Sequence, residues 1–476
     1  MRSDANGRGP DRDARWLPWT LAALAVAYVA VLWTNPFGTD LYTPDSRGYI
    51  EFDPHRTAGY PLLLDSVTGL FGTLGAVPGV QLLLAAAGFA FLGWSIQHAF
   101  GAPRLALAVA LSLFGNPEIA KFHGAIMTES VFVSLLCVML GTMALLIATP
   151  GVRPAFLSAL TCGVAVAVRP AGISLLPIWP LLLWFLWGPC AGRRVRLALA
   201  VAAPLLLCGA VEGIAWRAEH PDPTQRTSLA NMHLFAKALM MEPVPVVAGD
   251  DLDRFLEVAR ENVAPARRFV AEAPDWQTAL LTLTRYEAAG QRRWFQREAE
   301  ALAERRDTSL NQLLGDVGWR AVSAAPVAWA HNGLVHYVGL WGLYELLTPS
   351  ASQVYAAYMQ PSERVPFGES ARIRTRRPPH AMAWPGRVVM AAGFLATVVA
   401  VGIAVVRRLR SGAAELDRRL LLAAVCGLLV HGHYVFVALF GIALARYSLA
   451  VWPLLALCGF LLVHYASSRW SLRSLA

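Results

Sequence analysis

Eight stretches of this chain are continuous apolar runs: about 17–34, 78–98, 126–148, 172–188, 196–216, 387–406, 420–440 and 446–466. A helix rises 1.5 Å per residue, so roughly 20 apolar residues are needed to cross a ~30 Å hydrocarbon core. Two shorter runs, near 104–117 and 155–169, complete the alternation of loops between the two sides. The runs are continuous and do not alternate in polarity, which argues against a transmembrane β-barrel. The expected fold is therefore all-α and polytopic, with about ten transmembrane helices. Composition agrees: 56% of the 476 residues are hydrophobic and only 15% are charged, against about 25% charged in a soluble domain. The first run follows a long polar leader and reads as an uncleaved anchor in preference to a signal peptide. The stretch Gly59–Gly75 is apolar but interrupted by Pro61, Asp65 and several glycines, and is expected at the interface.

The net charge of +9 is distributed by topology. Arg2, Arg8, Arg12 and Arg15, then Arg104, Arg153, Arg193, Arg194, Arg196, Arg407, Arg408, Arg410, Arg418, Arg419, Arg469 and Arg473 fall in one set of alternate loops. The opposite short loops hold only Arg47, Arg56, Lys121, Arg169 and Arg446. The positive-inside rule then places the N-terminus in the cytoplasm, with the 35–77 loop and the 217–386 region outside. The predicted organisation is a transmembrane module over 1–216, an extracytoplasmic helical domain over 217–386, and C-terminal transmembrane helices over 387–476. Within the middle region, 326–347 is rich in Trp and Tyr, which favour the headgroup level, and reads as an interfacial helix. No basic face alternates with aromatics, so nucleic acid is not an expected partner. The bilayer is. The six cysteines lie in or beside apolar runs with no CxxC pair, and read as small buried hydrophobes.

Chemistry is expected where ionisable groups gather beside the apolar boundary. The first loop, Asp40–Leu64, holds Asp40, Asp45, Asp53, His55 and Arg56, and such groups can serve as bases or phosphate ligands. The structural alternative is that Asp45 or Ser46 caps a short helix through Tyr49. Asn116–Ser130 holds Lys121 and His123, and Glu129 falls within the first turn of the next span. A carboxylate there is costly and a functional candidate; the alternative is an acid favoured by the helix dipole. Arg169 and Arg446 each stand at the start or end of a span, where a lone arginine often snorkels. Together with Arg56 and Lys121 they place cations on the disfavoured side, which suggests an anionic ligand such as a lipid phosphate.

Other patterns are weaker. His431 and His433 point to nearly opposite helix faces, so they do not read as joint metal ligands, and one of them reads as a buried polar residue hydrogen-bonded to a neighbour. Asp250-Asp251-Leu252-Asp253 contains a DxD but opens a helix, where acids are expected. His331 and His336 read as amphipathic tips. No phosphate-binding Gly loop and no GxSxG occurs, and nothing in the chain supports a nucleotide-driven engine.

Several segments resemble a known pattern. PDSRGYIEF and RTAGYPLLL in the first loop, MTESVF, VRPAGISLLP, HYVGLW and ARYSLAVWPLL are similar, in order and spacing, to signatures of the GT-C superfamily of bacterial polytopic glycosyltransferases. This group is related to the protein O-mannosyltransferases and the aminoarabinose transferases. One departure is Ala58, where the pattern prefers Pro. The resemblance implies an inverting glycosyltransferase that moves a sugar from a polyprenyl-phosphate donor to an acceptor hydroxyl on a glycan, lipid or protein, at the extracytoplasmic face of the inner (plasma) membrane. It implies Asp45 as catalytic base, with Asp40 as the fallback. Arg56, Lys121, Arg169 and Arg446 are candidates for the donor phosphate. Glu129, His123 and Tyr49 are candidates for positioning the acceptor or a divalent metal, and metal dependence is left open. The alternatives are a transporter or flippase of a lipid-linked or anionic substrate, which should carry ionisable groups near the midplane, and a non-catalytic scaffold.

Overall fold

The computed structural model describes residues 15–43, 45–186, 191–222, 226–241, 250–272, 279–280, 283–284, 296–342, 380–411 and 416–473. The leader arginines Arg2, Arg8 and Arg12 and the end of the expected interfacial helix, 343–347, lie outside them. Among the described residues the protein is all-α, with 19 helices and no strand.

Among the described residues, each apolar run read from the sequence is largely helical. The helices up to the middle region are α1 (Trp16–Leu32), α2 (Ser46–Ile50), α3 (Gly59–Phe71), α4 (Val77–Phe100), α5 (Pro103–Phe114), α6 (Pro117–His123), α7 (Thr128–Ala148), α8 (Val152–Val168), α9 (Ile178–Leu186) and α10 (Ala191–Glu219). By length and composition five helical segments can cross a membrane: Leu74–Phe100, Thr128–Ala148, Gly192–Glu219, Val388–Arg410 and Arg418–Phe440. The pair α5 and α6, bent by 60°, makes a sixth if taken as one span. The chain is therefore a multi-pass membrane protein. Among the other runs, Trp16–Leu32, Val152–Val168 and Pro170–Leu186 are shorter apolar helices. The α5–α6 bend has a local cause. Asn116 is extended and its side chain accepts from the backbone N–H groups of Glu118 and Ile119, while Pro117 opens α6. This is a fresh N-terminus inside an apolar run.

The chain divides into two compact units. The first comprises Met1–Pro221, Gly393–His433 and Leu449–Ala476. Its centre is α7, whose apolar window is 83% buried, against 22% for Gly192–Glu219 and for Val388–Arg410. Helix α7 packs between α4 and α8, and α1 and α5 pack on α4. Helix α3 has 13 residues, about 20 Å by helical rise, too short to span the core.

The second unit comprises Asp222–Ala392 and Tyr434–Ser448. Its described helices include α11 (Leu229–Met240), α12 (Asp251–Ala271), α13 (Gln296–Arg305), α14 (Leu310–Ala324) and α15 (Pro326–Gly342). Met232, Phe235, Leu239, Phe255, Leu302 and Leu314 are part of its apolar core. Residues 434–448 belong with α14 and α15 for visible reasons. Phe440 packs on Trp319 and Trp329, the Ala443 N–H donates to His336 Nδ1, and Ser448 Oγ donates to the Leu340 carbonyl at 2.6 Å. The remaining helices are α16 (His380–Ser411), α17 (Arg418–Phe440), α18 (Ala445–Ala450) and α19 (Trp452–Arg473).

Candidate active site

The first loop is held against the turn that leads into α7. Ser46 Oγ donates to the Ile126 carbonyl at 2.9 Å, and the Ile126 N–H donates to the Leu41 carbonyl at 2.8 Å. Gln81, fully buried on α4, steadies the same turn. Its Nε2 donates to the carbonyls of His123 and Ala125, and its Oε1 accepts from Tyr60 Oη at 2.8 Å. Tyr49, Tyr60, Leu64, Val67, Val77, Ile126, Val131 and Val168 form one apolar cluster beneath the loop. Four separate stretches of sequence are thereby fixed around Tyr49.

Local sequence explains how the charged groups converge there. Asp45 occupies the N-cap position of α2, but its side chain makes no capping bond. Its Oδ1 instead meets Arg56 Nη2 at 3.2 Å. After α2 the chain reverses at Phe52, which adopts φ +48°, in the left-handed region. The Asp53 N–H reaches back to the Gly48 carbonyl and the Glu51 N–H to the Arg47 carbonyl, a helix stop usually made by Gly. The cost of a left-handed Phe, about 1–2 kcal/mol, is offset by packing, since Phe52 is buried with Ala58 and Trp216 and sits edge-on to His220. This reversal carries Arg56 back over α2. There its guanidinium lies 4.1 Å from the Tyr49 ring centroid, and Nη1 donates to Tyr49 Oη at 2.8 Å. Gly48 leaves the room: a Cβ there would stand 2.7 Å from Asp53 Oδ2 and 3.2 Å from Arg56 Nε. Burial raises the pKa of the Tyr49 phenol, and the cation of Arg56 partly opposes that rise.

Tyr49 Oη lies 3.5 Å from Thr128 Oγ1, which donates to Glu129 Oε2 at 3.3 Å. Glu129 Oε1 is 3.0 Å from Arg169 Nη1. Both partners are nearly inaccessible, at 3% and 6% side-chain exposure. Arg169 reaches Glu129 because Pro170 follows it. The residue before a proline avoids the helical region, so α8 stops and Arg169 is extended, at φ −143° and ψ 120°. Close packing brings that stop to the first loop, since a Cβ on Gly59 would lie 2.6 Å from the Ala167 carbonyl oxygen. The neighbouring Ala58 has φ −71°, a value proline would accept. Beyond Arg169, its guanidinium lies 5.7 Å from the Phe132 ring. Phe132 is stacked at 6.5 Å on His433, whose Nδ1 is 2.9 Å from Ser174 Oγ.

The structure thus joins Asp45, Arg56, Tyr49, Thr128, Glu129 and Arg169 in one continuous chain of contacts. Five of these were singled out in the sequence. Thr128 was not, nor were Phe132 and Ser174, although Thr128 and Phe132 lie in MTESVF and Ser174 lies in VRPAGISLLP. The remaining candidates make other contacts. Asp40 is exposed. Lys121 is bonded to Glu118 at 2.6 Å on α6. His123 is buried between Tyr28 Oη and Ser130 Oγ, at 2.9 and 2.6 Å. Arg446, in the second unit, has its guanidinium 5.7 Å from the Tyr447 ring. His431 is 2.9 Å from Thr397 Oγ1. Among the described residues no three His, Cys, Asp or Glu side chains gather at one point; the acids of the cluster face guanidinium groups instead.

No protein-family model matches the sequence, and no curated protein matches it. Two solved structures align with most of the chain. They are crystal structures of ArnT from Cupriavidus metallidurans, one bound to undecaprenyl phosphate and one in the apo state. The alignments cover 91% of this chain and 77% of each ArnT chain, at 14% and 16% identity and TM-scores of 0.35 and 0.34.

Proposed function

We propose that the protein is an inverting glycosyltransferase that moves a sugar from a polyprenyl-phosphate donor to an acceptor hydroxyl, on the extracytoplasmic side of the membrane, with a cytoplasmic N-terminus. One observation carries this reading. Acids and cations dispersed between residues 45 and 169 meet in a single contact chain at the ends of apolar helices. That is the arrangement needed to deprotonate a hydroxyl and receive a phosphate beside a lipid layer.

In this reading Asp45 accepts the proton of the acceptor hydroxyl. The acceptor oxygen then bonds to the anomeric carbon from the face opposite the phosphate. The bond from that carbon to the phosphate oxygen breaks, and its electron pair leaves with the lipid phosphate. Arg56 stabilises the charge developing on that oxygen. Tyr49 holds the guanidinium in place from below, and Glu129 with Arg169 supports the wall on which Thr128 and Tyr49 rest. Lys121 remains a candidate for the phosphate, Asp40 the fallback base, and His123 a candidate for positioning the acceptor or a divalent metal. The transporter reading has less support, because the deep histidines His431 and His433 each have a hydroxyl partner.

The test is turnover of polyprenyl-phosphate sugars by the purified protein in lipid nanodiscs, with and without a chelator. Transfer by the parent and its loss in Asp45→Asn would support the reading. An equally active Asp45→Asn would remove Asp45 as base, and no transfer from any such donor would remove the enzyme assignment.

A further inference from the structure

The two arginines of the cluster are not equivalent, and the difference identifies which one exchanges its partner. Arg169 and Glu129 are sealed from water, at 6% and 3% exposure. Separating them would break a buried ion pair, which is costly. Arg56 and Asp45 are more open, at 13% and 33%, and meet at 3.2 Å. Arg56 has two further holds, the 2.8 Å bond to Tyr49 Oη and the Tyr49 ring face at 4.1 Å. Loss of Asp45 would therefore leave the guanidinium where it is. The backbone at Asp45 is equally fixed, since Ser46 is tied to Ile126, so only the carboxylate side chain has to turn.

We infer that Asp45 occupies Arg56 as a placeholder which the phosphate of an incoming polyprenyl phosphate displaces. This inference rests on the proposed function and deepens it. A phosphate presents charged oxygens to the same planar donor that now faces Asp45, and a guanidinium binds either anion. Paired with Arg56, the Asp45 carboxylate is engaged by a cation. Once the phosphate takes Arg56, the carboxylate is released beside the donor. The donor then has to bind before the acceptor hydroxyl can be deprotonated, which keeps the base idle in a site without donor.

The exchange has a sign that a purely structural pair would not produce. Removing the placeholder should tighten phosphate binding, although it destroys a salt bridge. The experiment is titration of the full chain in nanodiscs with undecaprenyl phosphate and, in parallel, with inorganic phosphate. Thermal unfolding of each apo variant checks the fold. Asp45→Asn and Asp45→Ser should each bind the lipid about two- to fivefold more tightly than the parent, the range of a partly exposed ion pair. Arg56→Gln should bind about tenfold or more weakly, and adding Asp45→Asn to it should then change nothing. Tightening with inorganic phosphate as well supports exchange at the headgroup. Unchanged or weaker lipid binding in both folded Asp45 variants overturns the inference alone. A parent that binds no polyprenyl phosphate overturns the inference together with the proposed function.

Discussion

The first loop and the start of α7 each carry one carboxylate–guanidinium pair, and water reaches only the first. Asp45–Arg56 is 3.2 Å long with partly exposed partners, whereas Glu129–Arg169 is 3.0 Å long and sealed. An exposed pair contributes about 0–1 kcal/mol, because solvent screens it and both ions are well hydrated when apart. A sealed pair contributes little relative to an apolar replacement, but breaking it by removing one partner costs about 3–5 kcal/mol. The same chemical pair therefore does two jobs. Near water it can change partners, and in the interior it ties the start of α7 to the end of α8.

The largest expected effect is on turnover. Asp45→Asn should lower kcat by about 10²–10⁴, the range of general-base catalysis, with a change in stability of about 1 kcal/mol or less. Steady-state assays and thermal unfolding on the same preparation check both. A large loss of stability would make Asp45 structural and erase the contrast with Glu129.

Glu129→Ala should behave in the opposite way, lowering stability by about 3–5 kcal/mol. Combining it with Arg169→Leu should recover much of that loss, because no buried charge is then stranded. Unfolding midpoints of the two singles and the double decide it, and an additive double would break the comparison.

A third test concerns the reversal that delivers Arg56. Phe52→Ala and Phe52→Gly lose the same ring, but only glycine is at ease at φ +48°. The glycine variant should be more stable than the alanine variant by about 1 kcal/mol, read from denaturation curves.

The smallest effect belongs to an exposed pair in the second unit. Asp250 caps α12 through the Leu252 N–H and pairs with Arg320 at 2.6 Å. The bond from Leu252, then that from Arg320, holds its pKa below the ordinary 3.8. A carboxylate with a depressed folded-state pKa contributes stability that is present above the unfolded value and is lost as pH falls through the folded one. Asp250→Asn should therefore flatten the acid side of the stability profile below about pH 4 and leave neutral-pH turnover unchanged. This gives a surface standard against which the two pairs of the first unit can be read.

The residue pattern by itself determined the solvent. Apolar runs that long can be satisfied only as helices in lipid, because every backbone group must bond within its own segment. It also marked Asp45, Arg56, Glu129 and Arg169, since charge at the edge of an apolar run is costly wherever the run is placed; Tyr49 was marked by the motif resemblance alone. What it left open was partnership. Lys121 and His123 stood as close to Glu129 in sequence as any candidate, yet a helix N-terminus at Asn116 turns them towards Glu118 and Tyr28. Ser174 and His433 are 259 positions apart and touch, and no local rule could have paired them. Such choices depend on which helix ends pack together, as where Gly59 meets the end of α8. That is a property of close-packed surfaces distant in sequence, and only the tertiary structure decides it.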